Sequence, residues 1–227
     1  MAEGNACLLR LAAIDHRPWL IASLIAGVWF YLAKDATLAL PLEMAWKGAG
    51  VGLLAIYALL RAPGTDGKML AAVMAFGAAG DVAIELSLRA GAALFFVGHL
   101  IAIALYLRHR RPRLTQSQKS AAAALLLATP LIAFFLPTDR SAAPMVALYA
   151  LALGGMAAAA WSSAFSRYRV GLGAVLFVAS DLLIFARIGP LARSPLPGLL
   201  IWPLYYAGQF LICLGAAQAL RRWDRGQ

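Results

Sequence analysis

"AFGAAGDVAIELSLRAG", residues 75–91, decides how this chain folds. Up to Gly80 it reads as a membrane-spanning helix of small and apolar residues. Asp81 and Glu85 then set two carboxylates at an i, i+4 spacing, which puts them on one helical face. An ionisable side chain at mid-membrane costs ~2.5–3.5 kcal/mol on insertion scales, so it turns to the protein interior and has a task there. A second stretch, "LFVASDLLIFARIG" (residues 176–189), holds Asp181 in the same kind of surroundings.

The rest of the chain agrees with a membrane reading. It is 63% hydrophobic and 13% charged, against ~45–50% and ~25% in a soluble domain. Long apolar runs recur over its whole length. The expected fold is therefore all-α, a polytopic membrane protein with eight transmembrane helices. The expected spans are about 18–33, 41–60, 69–87, 91–108, 120–137, 143–165, 170–188 and 199–220, in one transmembrane domain over residues 1–227. Each is near the ~17–25 residues that cross the hydrocarbon, the first being short and extended by its flanks. Proline marks many of the ends, whereas Pro130 and Pro203 fall inside spans and are expected to kink them.

A net charge of +10 invites a nucleic-acid partner. The basic residues, however, are spread over loop ends and do not form one patch, so no nucleic-acid binding is expected. Of the twenty Lys and Arg, fourteen fall in the two termini and alternate loops, five fall in the other loops, and Lys47 lies within a span. By the positive-inside rule both termini are cytoplasmic, and a bacterial inner membrane is the expected location. Cys7 and Cys213 are too far apart in sequence and placement to suggest a disulfide framework. The N-terminal segment lacks the order of a cleavable signal, so the first span itself is expected to direct insertion. Gly80-Asp81 and Ser180-Asp181 sit at similar distances from their span ends, the trace of a weak four-plus-four parallel pseudo-repeat.

The polar residues within the spans are few: Lys47, Asp81, Glu85, His99, Asp181, Tyr205, Tyr206 and Gln209. Counted from the outer end of each span, Lys47, Asp81, His99, Asp181, Tyr205, Tyr206 and Gln209 lie roughly 9–15 Å deep at 1.5 Å per residue. A common layer over five helices points to one shared polar cavity, open towards the outer leaflet. Gly77 and Gly80 leave room beside Asp81. Each residue also has a bland reading. Lys47 can pair locally with Glu43, at i, i+4. The aspartates, His99 and Gln209 can be interhelical hydrogen bonds. Glu85 can face interfacial water, and the tyrosines can belong to an aromatic belt.

Several chemistries are excluded by what is missing. A zinc site needs three or four clustered ligands, and the histidines are only His16, His99 and His109. There is no nucleophile elbow, phosphate loop or dinucleotide fingerprint. What remains is carboxylate chemistry without a metal or cofactor. Two neighbouring embedded carboxylates titrate as a pair, one protonated beside one ionised, which supplies a general acid and a general base.

"GDVAIEL" (80–86), "FFVGHLIAIALY" (95–106), "GAVLFVASDLLIF" (173–185) and "YYAGQ" (205–209), in this order, resemble the YhhN family of eight-span membrane proteins, the lysoplasmalogenases. The resemblance implies that Asp81 and Asp181 are catalytic, and that His99, Tyr206 and Gln209 are pocket residues. It departs at Glu85, where the pattern has an apolar residue, at Ala102 in place of tyrosine, and at Gly48 in place of the proline after the lysine. The implied activity is hydrolysis of the vinyl ether of a lysoplasmalogen to a fatty aldehyde and glycerophospho-ethanolamine or -choline. The expected partners are that lysophospholipid and membrane lipid. Such a reaction needs a protonated acid and a carboxylate, as glycoside hydrolysis does. Lys47 is then expected to contact the lipid phosphate, and Phe95, Phe96 and Phe177 the alkenyl chain. Two other classes share the polar layer: a proton-coupled transporter of a small or lipid substrate, and a structural protein.

Overall fold

Proline and small polar caps set where the helices begin. The computed structural model describes residues 17–33, 36 and 39–226. Cys7, Arg10, His16 and Lys34 lie outside the described residues, so nothing bears on the readings placed there. The helices are α1 (Arg17–Leu32), α2 (Leu40–Arg61), α3 (Gly64–Leu86), α4 (Leu88–Arg108), α5 (Gln116–Phe135), α6 (Ala143–Ser162), α7 (Leu172–Arg187) and α8 (Leu196–Asp224). One turn of π-helix, Arg167–Gly171, leads into α7. Among the described residues the one β-type contact is an isolated bridge between Arg110 and Ser163.

Seven of these helices, α7 counted with its π turn, are long and apolar enough to cross a membrane. This is an integral membrane protein. At 16 residues, α1 rises about 24 Å against a hydrocarbon core of about 30 Å, so it is an apolar helix shorter than a full span. The eight expected helices are all present.

Several helices start earlier than the hydropathy places them. The spans expected from 69, 91, 120 and 199 begin at Gly64, Leu88, Gln116 and Leu196. Hydropathy registers only the apolar part, and capping extends the helix into polar residues. Before α5, Thr115 Oγ1 accepts from the Gln118 amide while Gln118 Oε1 accepts from the Thr115 amide, a reciprocal capping box. A single extended residue, Ser87, ends α3 by donating its amide to Ala83 O and starts α4 by accepting at Oγ from the Ala90 amide. Conversely, α6 stops at Ser162, short of residue 165. There Arg111 donates to Ser163 O at 2.7 Å and to Phe165 O at 3.2 Å, which leads the chain out of the helix. Pro130 and Pro203 do lie inside α5 and α8.

Neighbour relations recur in the two halves of the chain. α1 packs on α2 as α5 packs on α6, α3 on α4 as α7 on α8, and α2 on α8 as α6 on α4. Large apolar side chains such as Ile25, Leu127, Leu131 and Phe135 face outward, whereas the buried face of α6 is built from Ala150, Gly154, Ala157 and Ala160. This is the membrane arrangement, in which small residues let helices approach and the large apolar ones meet lipid. Glycine also brings α7 close to α8. A Cβ on Gly208 would lie 2.7 Å from Gly173 O, and one on Gly173 would lie 2.7 Å from Gly208 O.

The end of the bundle away from the acids is tied by polar contacts. Asp66 at the start of α3 accepts from Arg108 Nε at 2.7 Å and lies 2.7 Å from His109 Nε2. The His109 ring stacks on Trp223 of α8, with centroids 4.7 Å apart.

Candidate active site

Asp81 lies five residues before the end of α3 and is almost fully buried. Its Oδ2 accepts a hydrogen bond from Tyr205 Oη of α8 at 2.7 Å. Glycine makes the setting possible. A Cβ on Gly80 would lie 2.9 Å from the Phe95 ring, and one on Gly77 would lie 2.7 Å from Gln209 Nε2. The room expected beside Asp81 is thus filled, by an aromatic ring from α4 and an amide from α8. Gln209 Nε2 reaches Tyr205 Oη at 3.4 Å, and its Oε1 is buried without a partner.

Asp181 holds the equivalent place near the end of α7. Its Oδ2 accepts from Tyr149 Oη of α6 at 2.7 Å. His99 Nε2 of α4 lies 3.2 Å from the same hydroxyl. When Asp181 is ionised, Tyr149 gives its only proton to the carboxylate and accepts from His99, whose imidazole then carries a proton on Nε2. The result is a chain His99–Tyr149–Asp181. Phe177 separates the two acid assemblies, edge-on to His99 at 5.1 Å and to Tyr205 at 5.1 Å.

Both aspartates open into one cavity of about 190 Å³, whose wall includes Lys47, Phe95, Tyr149, Phe185, Arg187 and Trp202. Among the described residues neither carboxylate has a hydrogen bond to its second oxygen, Oδ1. The acids do not hydrogen-bond each other. Each is held by its own tyrosine, which leaves two separate oxygen atoms to act on a molecule between them.

The residues expected from sequence divide into three groups. Lys47, Asp81, Asp181 and Tyr205 line the cavity. Glu85, His99 and Gln209 stand one contact behind it, on Lys47, Tyr149 and Tyr205. Tyr206 is not in it. Its hydroxyl pairs with Ser23 Oγ of α1 at 2.8 Å, and its ring lies against Trp202 and over Gly27. Adjacent helical residues point about 100° apart, and here Tyr205 turns to the cavity while Tyr206 turns to α1. The local Lys47–Glu43 pairing is also corrected. Lys47 turns across to α3 and forms its ion pair with Glu85. Among the expected chain-holding rings, Phe95 lines the cavity and Phe177 backs it, whereas Phe96 is not part of its wall.

Tyr149 and Arg187 are the residues that sequence reasoning missed. Tyr149 had a usable signal. It is six residues into the expected span 143–165, the same depth as Lys47 and Asp81 in theirs. Among the described residues no three His, Cys, Asp or Glu side chains gather as a metal-ligand set.

Fold and cavity define a class: a helical integral membrane protein with a pair of tyrosine-held aspartates in an intramembrane pocket. The YhhN family profile matches residues 42–216, from α2 to near the end of α8, and the chain belongs to that family. No curated protein and no solved structure matches the chain.

Proposed function

We propose that the protein is a lysoplasmalogenase-like hydrolase that cleaves the vinyl ether of a single-chain ether phospholipid. The observation that carries the reading is the pair of aspartates on one cavity, each with one oxygen held by a tyrosine and the other without a partner among the described residues. Membership of the YhhN family supports it.

The chemistry follows from those two oxygens. A protonated carboxyl gives its proton to the β-carbon of the vinyl ether, leaving an oxocarbenium ion at the ether carbon. The second, ionised carboxylate faces that cation and takes a proton from the incoming water. Water adds to the ether carbon, and the hemiacetal breaks its bond to glycerol. The carboxyl that took the water's proton gives it to the departing glycerol oxygen, the hemiacetal hydroxyl returns a proton to the first acid, and the chain leaves as the aldehyde. Asp81 and Asp181 are the two acids. Tyr205 and Tyr149 fix their rotamers, and His99 fixes Tyr149. The Lys and Arg distribution supports a cavity that opens towards the outer leaflet, with both termini cytoplasmic.

The test is aldehyde release from a lysoplasmalogen by purified wild type, Asp81→Asn and Asp181→Asn. General acid–base catalysis contributes about 10²–10⁴-fold, so each variant is expected to lose at least a hundredfold. Near-wild-type turnover in either variant removes the pair. Flux of intact lysolipid across liposomes with no aldehyde formed replaces the hydrolase with the transporter.

A further inference from the structure

Two cations line the cavity, and they are not equivalent. Lys47 is committed to Glu85, so its charge is already matched within the protein. Arg187, the last residue of α7, is exposed, and none of the ion pairs among the described residues includes it. A basic residue in the last turn of a helix complements the helix dipole. That alone does not account for a side chain that forms part of the cavity wall. Arg187 and Asp181 both line that cavity, from the same helix.

From this we infer that Arg187 is the anion-binding residue of the cavity, holding the phosphate of the substrate's head group, in the role that sequence reading gave to Lys47. Two observations lead there: a guanidinium without a carboxylate partner among the described residues, and a second wall cation that is already neutralised. A planar guanidinium grips a phosphate through two parallel N–H donors, which a compact ammonium cannot do.

The spacing fits a glycerophospholipid. Six residues separate Asp181 from Arg187, a rise of about 9 Å along α7. In a lysolipid, the glycerol backbone sets the distance from the ether oxygen to the phosphorus. That is a handful of single bonds, shorter than the helix rise, and the flexible arginine side chain closes the difference. The head group then lies at the mouth and the ether bond at the aspartates. This orientation rests on the hydrolase reading, whereas the anion site does not.

The experiment is therefore binding, with a ligand that cannot be cleaved. The purified full chain in detergent is titrated with a saturated O-alkyl lysophosphocholine, with the O-alkylglycerol that lacks phosphate, and with glycerophosphocholine. Wild type is expected to prefer the phospholipid over the alkylglycerol by roughly ten- to a hundredfold, the size of one or two charge-assisted hydrogen bonds. Arg187→Ala and Arg187→Gln are expected to erase that preference, and Arg187→Lys to restore part of it.

The proposal is overturned if Arg187→Ala keeps the preference, or if Lys47→Met loses it while Arg187→Ala does not. Glycerophosphocholine binding as tightly as the lysolipid makes the site one for a soluble phosphate and overturns the lipid assignment. Wild type without any phosphate preference overturns the proposal even where vinyl ethers are hydrolysed. A preference lost in Arg187→Ala, with no aldehyde formed from a lysoplasmalogen, upholds the anion site and removes the hydrolase reading.

Discussion

At the scale of single residues, the two tyrosines separate site from scaffold. Tyr206 is buried and Tyr149 half-buried; the Tyr206 hydroxyl pairs with Ser23, whereas the Tyr149 hydroxyl joins Asp181 to His99. Tyr149→Phe keeps the ring contacts to His99 and Phe185 but frees Asp181 Oδ2 and strands His99. Losing a hydrogen bond to a charged group costs about 1.5–3 kcal/mol, so turnover is expected to fall ten- to a hundredfold with KM nearly unchanged. Tyr206→Phe leaves the Ser23 hydroxyl still bonded to Gly50 O at 2.5 Å. It is expected to lower stability by about 1 kcal/mol and to leave turnover intact. Steady-state kinetics and thermal unfolding of both variants check the contrast. Sequence alone could find Asp81 and Asp181, because an acid in an apolar run is conspicuous. Tyr149 is at home in such a run, so its depth was the one signal that could have found it. Sequence could not give Lys47 its partner. Glu43 is close along the chain, whereas Glu85 is close only once α2 packs on α3.

At the scale of elements, the crossing of α7 and α8 sets the site. Asp181 stands on one of these helices and Tyr205 on the other, and Gly173 and Gly208 bring the two backbones together. Gly208→Val would place its Cβ 2.7 Å from Gly173 O. Backbone has to move, and overpacking of this kind costs about 1–3 kcal/mol. Activity is expected to fall with stability, since Tyr205 is carried away from Asp81. Gly198→Ala on the same helix meets nothing within 4 Å and is the control that is expected to keep the wild-type melting temperature. Melting curves in detergent read both. The elements themselves were largely legible, since hydropathy located every helix. It missed their polar starts, such as the Thr115–Gln118 box, because capping is a matter of hydrogen bonding and leaves no apolar signal. The helix crossings were not legible, because a glycine in a membrane run does not say which helix it admits.

At the scale of the whole molecule, the two ends of the bundle do different work. One is fastened by Asp66, His109 and Trp223, and the other holds the cavity. That cavity, about 190 Å³, is smaller than the ~300–1,000 Å³ that encloses a drug-sized ligand. On the hydrolase reading proposed above, a lysolipid has only its polar end and ether bond inside, while most of its hydrocarbon stays in the bilayer. The substrate is thus met as a fraction of the surrounding lipid and not as a solute. Inert detergent added at constant total lysolipid is expected to slow the reaction in proportion to the falling surface fraction, and a rate that depends only on total lysolipid would contradict this. On the same reading the products also separate by solubility at the moment they form. The glycerophospho half belongs to water and the aldehyde to the membrane, so the bilayer that delivers the substrate also carries one product away.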